Sequence, residues 1–213
     1  MDEAVAATDS GVCILTKSLA QELSVANEYR KGMHFMLEKK FGLPGLRSLD
    51  HFGFTVPNLE QARQFLVEVM GCEYMYTLGP FKHDDDWMQE HLNVHPQAVM
   101  EQLHFFKVGG TAILEVFQYS APDQREIQPR NSDIGGSHIA FYVEDIDVAV
   151  QYLRENNVQV LGEISTSKNA SEGQRWIYFL APWGMQFELV SYPHGKAWEK
   201  RTAVTVDQLP TQL

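Results

Sequence analysis

Gly135-Gly136-Ser137-His138-Ile139-Ala140-Phe141-Tyr142-Val143 reads as a β-strand with a histidine at its start. The stretch Leu49-Asp50-His51-Phe52-Gly53-Phe54-Thr55-Val56 has the same form. His51 precedes its counterpart His138 by 87 positions, and the same spacing links Phe54 to Phe141 and Val56 to Val143. It continues through Ala62 and Ala149, Gln64 and Gln151, and Leu66 and Leu153. A constant offset over such a span signals an internal duplication.

Each copy reads as βαβββ. In the first, His51–Val56 is a strand, and Pro57-Asn58 breaks it. Asn58 caps a helix over Leu59–Met70, which Gly71 ends. Strands follow over Cys72–Leu78, Met100–Val108 and Thr111–Tyr119, the last two joined at Gly109-Gly110. In the second, His138–Val143 is a strand, and Asp145 caps a helix running to about Asn156. Strands follow over Val158–Ile164, Arg175–Leu180 and Met185–Tyr192, with a polar loop over Ser165–Gln174 and a turn at Pro182-Trp183-Gly184. The final strands correspond too, Glu115 with Glu188 and Tyr119 with Tyr192, but at a shorter offset of 73. The first copy is therefore the longer, and residues 79–99 take up the excess. That insertion mixes polar and aromatic residues and includes a short helix near Trp87–Leu92. It is either a surface excursion or a substrate wall.

The expected organisation is α+β. Residues 1–46 form an N-terminal helical extension, helical from Lys17 to about Phe41, which either packs on the domain's flank or serves as a dimerisation arm. Residues 47–121 form the first module, 136–193 the second and 194–213 a C-terminal tail. Residues 120–135 are a linker rich in Pro, Asp and Asn.

The chain has 213 residues, 44% of them hydrophobic and 21% charged, as in an ordinary globular protein. A net charge of −11 disfavours nucleic acid and anionic membranes, which select basic surfaces. Cys13 and Cys72 give neither a disulfide framework nor a zinc-finger spacing. No apolar run spans a bilayer, and Asp2 and Glu3 are unlike a secretory start, so a cytoplasmic location is expected.

Glu115 and Glu188 sit in strongly apolar strands, at matching places, in a chain that also duplicates a histidine. A carboxylate is costly to bury there unless it is paired or bound to a metal. If the first and fourth strands of each module are neighbours, His51, Glu115, His138 and Glu188 converge across the duplication axis. Two imidazoles and two carboxylates suit a divalent ion: Zn, Ni, Co, Mn or Fe. Other groups also offer themselves to the cup: His83, Asp84, Asp85, Asp86, His91 and His95 in the insertion, and His104 in its strand. Each has an ordinary reading as loop or strand surface. Tyr119, Tyr142, Tyr192, Trp176 and Trp183 read as packing rather than catalysis, and Arg175 and Lys168 as surface, with a hold on an anionic substrate as the alternative.

The motifs around His51, Ala112-Ile113-Leu114-Glu115-Val116, Ser137-His138-Ile139-Ala140-Phe141 and Ala181-Pro182-Trp183-Gly184-Met185-Gln186-Phe187-Glu188-Leu189 resemble the vicinal oxygen chelate superfamily. That group includes glyoxalase I, methylmalonyl-CoA epimerase, extradiol dioxygenases, fosfomycin-modifying enzymes and a cyclitol epimerase. The resemblance covers roughly residues 47–193. It implies a cup-shaped mixed sheet, a divalent metal held by His51, Glu115, His138 and Glu188, and a homodimer. It also implies a small carbonyl substrate bound through neighbouring oxygens.

The reaction expected from the resemblance is isomerisation or epimerisation of a hydroxy-ketone through a metal-stabilised enolate, with Glu115 or Glu188 as the catalytic base. Ring-cleaving dioxygenases use two histidines and one carboxylate, so the fourth candidate ligand, Glu115, favours isomerase and lyase members. A glyoxalase I-like lyase, an extradiol-type dioxygenase and a non-catalytic ligand-binding member stand as alternatives.

Overall fold

A computed structural model describes residues 43–202. The predicted N-terminal helix and Cys13 lie outside the described residues. The chain divides into two compact units, Met1–Ser48 and Leu49–Leu213. Of the first, the described part is a turn in which the Leu46 N–H donates to the Leu43 carbonyl at 3.2 Å.

The second unit holds both modules. The first runs β1 (Phe52–Thr55), α1 (Leu59–Gln64), β2 (Glu73–Leu78), α2 (Trp87–Leu92), β3 (Val99–Val108) and β4 (Ala112–Ser120). The second runs β5 (His138–Tyr142), α3 (Ile146–Glu155), β6 (Gln159–Thr166), β7 (Arg175–Leu180) and β8 (Gln186–Ser191), with a final helix α4 (Ala197–Thr202). Each module forms its own four-stranded mixed sheet, ordered β1-β4-β3-β2 and β5-β8-β7-β6. The α+β fold with duplicated modules is as expected, and α4 gives the predicted tail a helix.

The helices start where their caps dictate. The Asn58 side chain accepts from the Gln61 N–H at 2.9 Å. Asp145 accepts from the N–H groups of Asp147 and Val148 at 3.0 and 3.1 Å. In α3, Ile146, Val150 and Leu153 recur at helical spacing and are buried. The first module departs from the uniform helix expected over Leu59–Met70. After Gln64 the turn widens into a π-helix over Phe65–Val69, in which the Met70 N–H reaches back five residues to the Phe65 carbonyl at 3.0 Å. The wider turn lets the adjacent residues Phe65 and Leu66 both be buried. Gly71, with φ of +69°, then ends the helix in a conformation that costs glycine little.

One core serves both modules. It gathers Val56, Leu59, Phe65, Leu66, Leu114 and Val116 from the first with Ile146, Val150, Leu153, Ile177, Phe179 and Phe187 from the second. Phe187 is fully buried at its centre, ringed by Phe54, Phe65, Phe141, Phe179 and Trp183 at centroid distances of 5.2–6.5 Å. Burial of one such ring stabilises by about 1.5–3 kcal/mol. These residues come from the helices and from the sheet faces that the helices cover, so the opposite face of each sheet is left out of the shared core. Among the described residues, no helix is long and apolar enough to cross a membrane.

His104 lies on the core side of β3, turned from the cup face. It is buried between Tyr74 and Phe106, and its Nδ1 has no hydrogen-bond partner. Burial, reinforced by the Arg63 charge and opposed by Glu60, holds its pKa below the ordinary histidine value. The folded state thus keeps His104 neutral while the unfolded chain protonates it near pH 6.5. This contribution to stability is present above that pH and is lost as pH falls below it toward the lower pKa of the folded state. Urea unfolding of His104→Leu against wild type from pH 8 to 5 is expected to show a flatter loss of stability in the variant below about pH 6.5.

Candidate metal centre

In both modules the first strand lies parallel to the fourth. Gly53 pairs with Glu115 in β1–β4, and Ala140 pairs with Glu188 in β5–β8. Each histidine stands two residues before the partner of its glutamate, on the same face. The side chains meet accordingly: His51 Nε2 lies 3.0 Å from Glu115 Oε2, and His138 Nε2 lies 3.1 Å from Glu188 Oε2.

Both imidazoles are held from behind. His51 Nδ1 is 2.8 Å from Asp50 Oδ2, and His138 Nδ1 is 3.0 Å from Asn131 Oδ1. Carboxylate and amide oxygens only accept, so in each ring both nitrogens face acceptors, and one ring proton satisfies only one of them. With that proton on Nδ1, Nε2 is a lone pair facing a carboxylate oxygen at hydrogen-bonding distance. Either a second ring proton or a cation between the two atoms reconciles them. The hydrogen bond to Asp50, reinforced by Glu115 and opposed by burial, raises the pKa of His51. An imidazole whose far nitrogen is tied to an oxygen acceptor is also the usual form of a metal-bound histidine. The donor set therefore fits a divalent cation. Asp50 and Asn131 were not singled out in the sequence. Asp50 adjoins His51 and could have been suspected, whereas Asn131 arrives from the linker by folding alone.

The two pairs differ in exposure. Glu188 is the more shielded carboxylate, at 10% side-chain exposure against 18% for Glu115. Burial raises the pKa of Glu188, against the opposing pull of His138 and Lys196. Beside Glu115 the backbone is kept slim: a Cβ on Gly53 would lie 3.2 Å from Glu115 Oε2 and 3.3 Å from the Phe117 ring. A cavity of about 840 Å³ opens over Glu115, walled by Leu78, Met100, Leu103, Phe117 and Tyr119. The insertion adds Gly79, Pro80, Phe81, Leu92 and Val94 to that wall.

The expected convergence of all four candidate ligands takes a different form within one chain. Among the described residues, no three His, Cys, Asp or Glu side chains form a group that could hold a metal ion. The structure makes two separate His–Glu pairs, one in each module, and the modules join through a shared core of helix residues and the sheet faces behind them. The insertion's other ionisable groups find partners of their own. His83 and His91 both stack on Trp87 with centroids 4.5 Å apart, and His95 Nδ1 accepts from the Gln97 N–H at 3.1 Å. Asp84, Asp85 and Asp86 are exposed. Arg175 forms a two-pronged pair with Asp147 at 2.6 and 2.9 Å, tying β7 to the start of α3.

Residues 50–179 match the sequence profile of the Glyoxalase/Bleomycin resistance protein/Dioxygenase superfamily. The chain belongs to that superfamily. It is 43% identical over 169 residues to a 2-epi-5-epi-valiolone epimerase from an Actinomyces species, an alignment covering 78% of this chain and 91% of the relative. It is 24% identical over 149 residues to the uncharacterized protein YwkD of Bacillus subtilis, with 68% and 96% of the two chains covered. A glyoxalase family protein from Bacillus cereus superposes with a TM-score of 0.54 at 17% identity, over 70% of this chain and 98% of the other, and shares the fold. The likeness to a named epimerase over nearly its whole length makes this superfamily member an enzyme.

The support of the imidazoles is open to test. Asp50→Ala and Asn131→Ala are each expected to weaken divalent-metal binding by roughly 10–100-fold, measured by chelator competition or titration calorimetry. Asp84→Ala, at an exposed position, is expected to leave binding unchanged.

Proposed function

We propose that the protein is a divalent-metal-dependent epimerase acting on a small hydroxy-ketone, and that a second copy of the chain completes its site. The observation that carries this reading is the repetition of one His–Glu pair, in one register, on the same face of both sheets. One pair supplies two protein ligands, and a metal site of this donor type needs three or four. Because the shared core takes up the opposite faces, the His138–Glu188 pair that completes a His51–Glu115 half-site is supplied by a partner in a two-fold dimer.

His51, Glu115, His138 and Glu188 would then hold the cation. Once bound, the metal supplies Lewis acidity that stabilises negative charge on a substrate oxygen. The chain's own groups handle the proton. Glu115 and Glu188 reach the site from different modules, so one carboxylate can take the proton beside the carbonyl and the other can return one to the opposite face. Asp50 and Asn131 keep the imidazoles turned toward the carboxylates. The apolar wall over Glu115 excludes water and strengthens each electrostatic contact inside the cup.

The relative at 43% identity makes 2-epi-5-epi-valiolone the first substrate to try. In deuterium oxide, the metal-loaded enzyme is expected to introduce deuterium at the carbon next to the carbonyl. Glu115→Gln and Glu188→Gln are each expected to slow that exchange by about 10²-fold or more. Oxygen consumption without exchange would instead identify a dioxygenase.

Assembly across two chains has its own test. His51→Ala and His138→Ala are each expected to be inactive alone. After mixing and subunit exchange, half of the dimers are mixed, and each mixed dimer carries one intact site out of two. About a quarter of wild-type activity should return. No recovery, with subunit exchange verified, would place the whole site within one chain.

A further inference from the structure

The two half-sites share one plan but not the same wall. On β3 of the first module, Phe105 lies directly opposite Glu115, and its ring meets His51 edge-on at 6.4 Å. On β7 of the second, Tyr178 lies directly opposite Glu188, and its ring meets His138 edge-on at 5.2 Å. Directly paired residues on neighbouring strands share a face. Tyr178, His138 and Glu188 therefore surround one point, as Phe105, His51 and Glu115 do in the other module.

The duplication is an internal control. Phe105 shows that a bare phenyl ring satisfies the packing at this place in the fold, so the Tyr178 hydroxyl is an addition that packing does not require. Tyr178 is half-buried, and its hydroxyl makes no hydrogen bond among the described residues. A phenol set into a wall normally finds a polar partner. Here the ring stands on the face that carries the His138–Glu188 pair, directly opposite Glu188.

We propose that Tyr178 is a further binding residue of the site, its hydroxyl donating a hydrogen bond to an oxygen of the substrate. The assignment rests on the epimerase reading above and adds an orientation to it. The cavity over Glu115 is walled mainly by carbon, including Leu78, Pro80, Phe81 and Leu103. The oxygen-rich edge of a hydroxy-ketone is matched by the Tyr178 side, and its C–H face by the Glu115 side. A site that hydrogen-bonds a substrate hydroxyl discriminates strongly against the analogue lacking it, because the protein group is then left without a partner.

The test compares full-length, metal-loaded wild type with Tyr178→Phe, on 2-epi-5-epi-valiolone and on analogues each lacking one hydroxyl. The variant is expected to keep its melting temperature and metal content while kcat/KM on the parent compound falls about tenfold or more. On one analogue, the one lacking the oxygen that Tyr178 binds, the two enzymes should converge to within about twofold. The proposal is overturned if Tyr178→Phe matches wild type on the parent compound, or if its deficit is the same on every analogue. A lowered melting temperature would assign the hydroxyl to the fold and overturn it equally. If wild type itself turns over none of a panel of hydroxy-ketones, the epimerase reading fails. Activity in wild type with an unaffected variant removes Tyr178 alone.

Discussion

The parallel pairing of each module's first strand with its last is the constraint on which the rest depends. Parallel neighbours cannot be joined by a tight turn. Each module therefore sends its chain through a helix and two intervening strands before the fourth strand arrives. The route brings together residues 64 positions apart in the first module and 50 in the second, counted from His51 to Glu115 and from His138 to Glu188. The register is the same in both, so the imidazole meets the carboxylate the same way twice. Slipping β4 or β8 by one residue would turn its glutamate into the core and bring an apolar neighbour, Leu114 or Val116 and Phe187 or Leu189, to the opposite face. The alternation of apolar residues around Glu115 and Glu188 holds that register.

This arrangement also explains how carboxylates persist in such apolar strands. An isolated buried charge is heavily penalised. Each glutamate here stands at the margin of the core, facing its imidazole, and that imidazole is steadied by an acceptor behind it. The acceptors come from different places, Asp50 from the residue before β1 and Asn131 from the linker before β5. The two halves have preserved the outcome while changing the means. The same drift appears at Gly53 and Ala140, and at Phe105 and Tyr178, where matching positions carry different chemistry.

Much of the fold was legible in the residues. The repeated spacing exposed the duplication, and the caps at Asn58 and Asp145 and the turn at Gly109-Gly110 set the elements to within a residue or two. The adjacency of first and fourth strands was also expected, and in the structure it sets each histidine beside the glutamate of its own module. The orientation of one module against the other did not follow. It depends on which aromatic rings meet around Phe187, a property of shapes in three dimensions that a linear pattern does not encode. The widened turn at Phe65–Val69 was hidden for a similar reason, since one extra residue in a helical turn barely disturbs the hydrophobic spacing. His104 alternates correctly for either face within its strand. Only the irregular pairing around Met100–Gln102 and the helix packed beside it decide that it turns inward.

Residues 79–99 stand where the other module has only the short loop between β6 and β7. A cup made from two identical halves would treat the two sides of a flat carbonyl alike, and a molecule could enter in either of two equivalent poses. With a wall raised on one rim only, the entrance acquires a handedness. A chiral guest then meets a left that differs from its right before any proton moves.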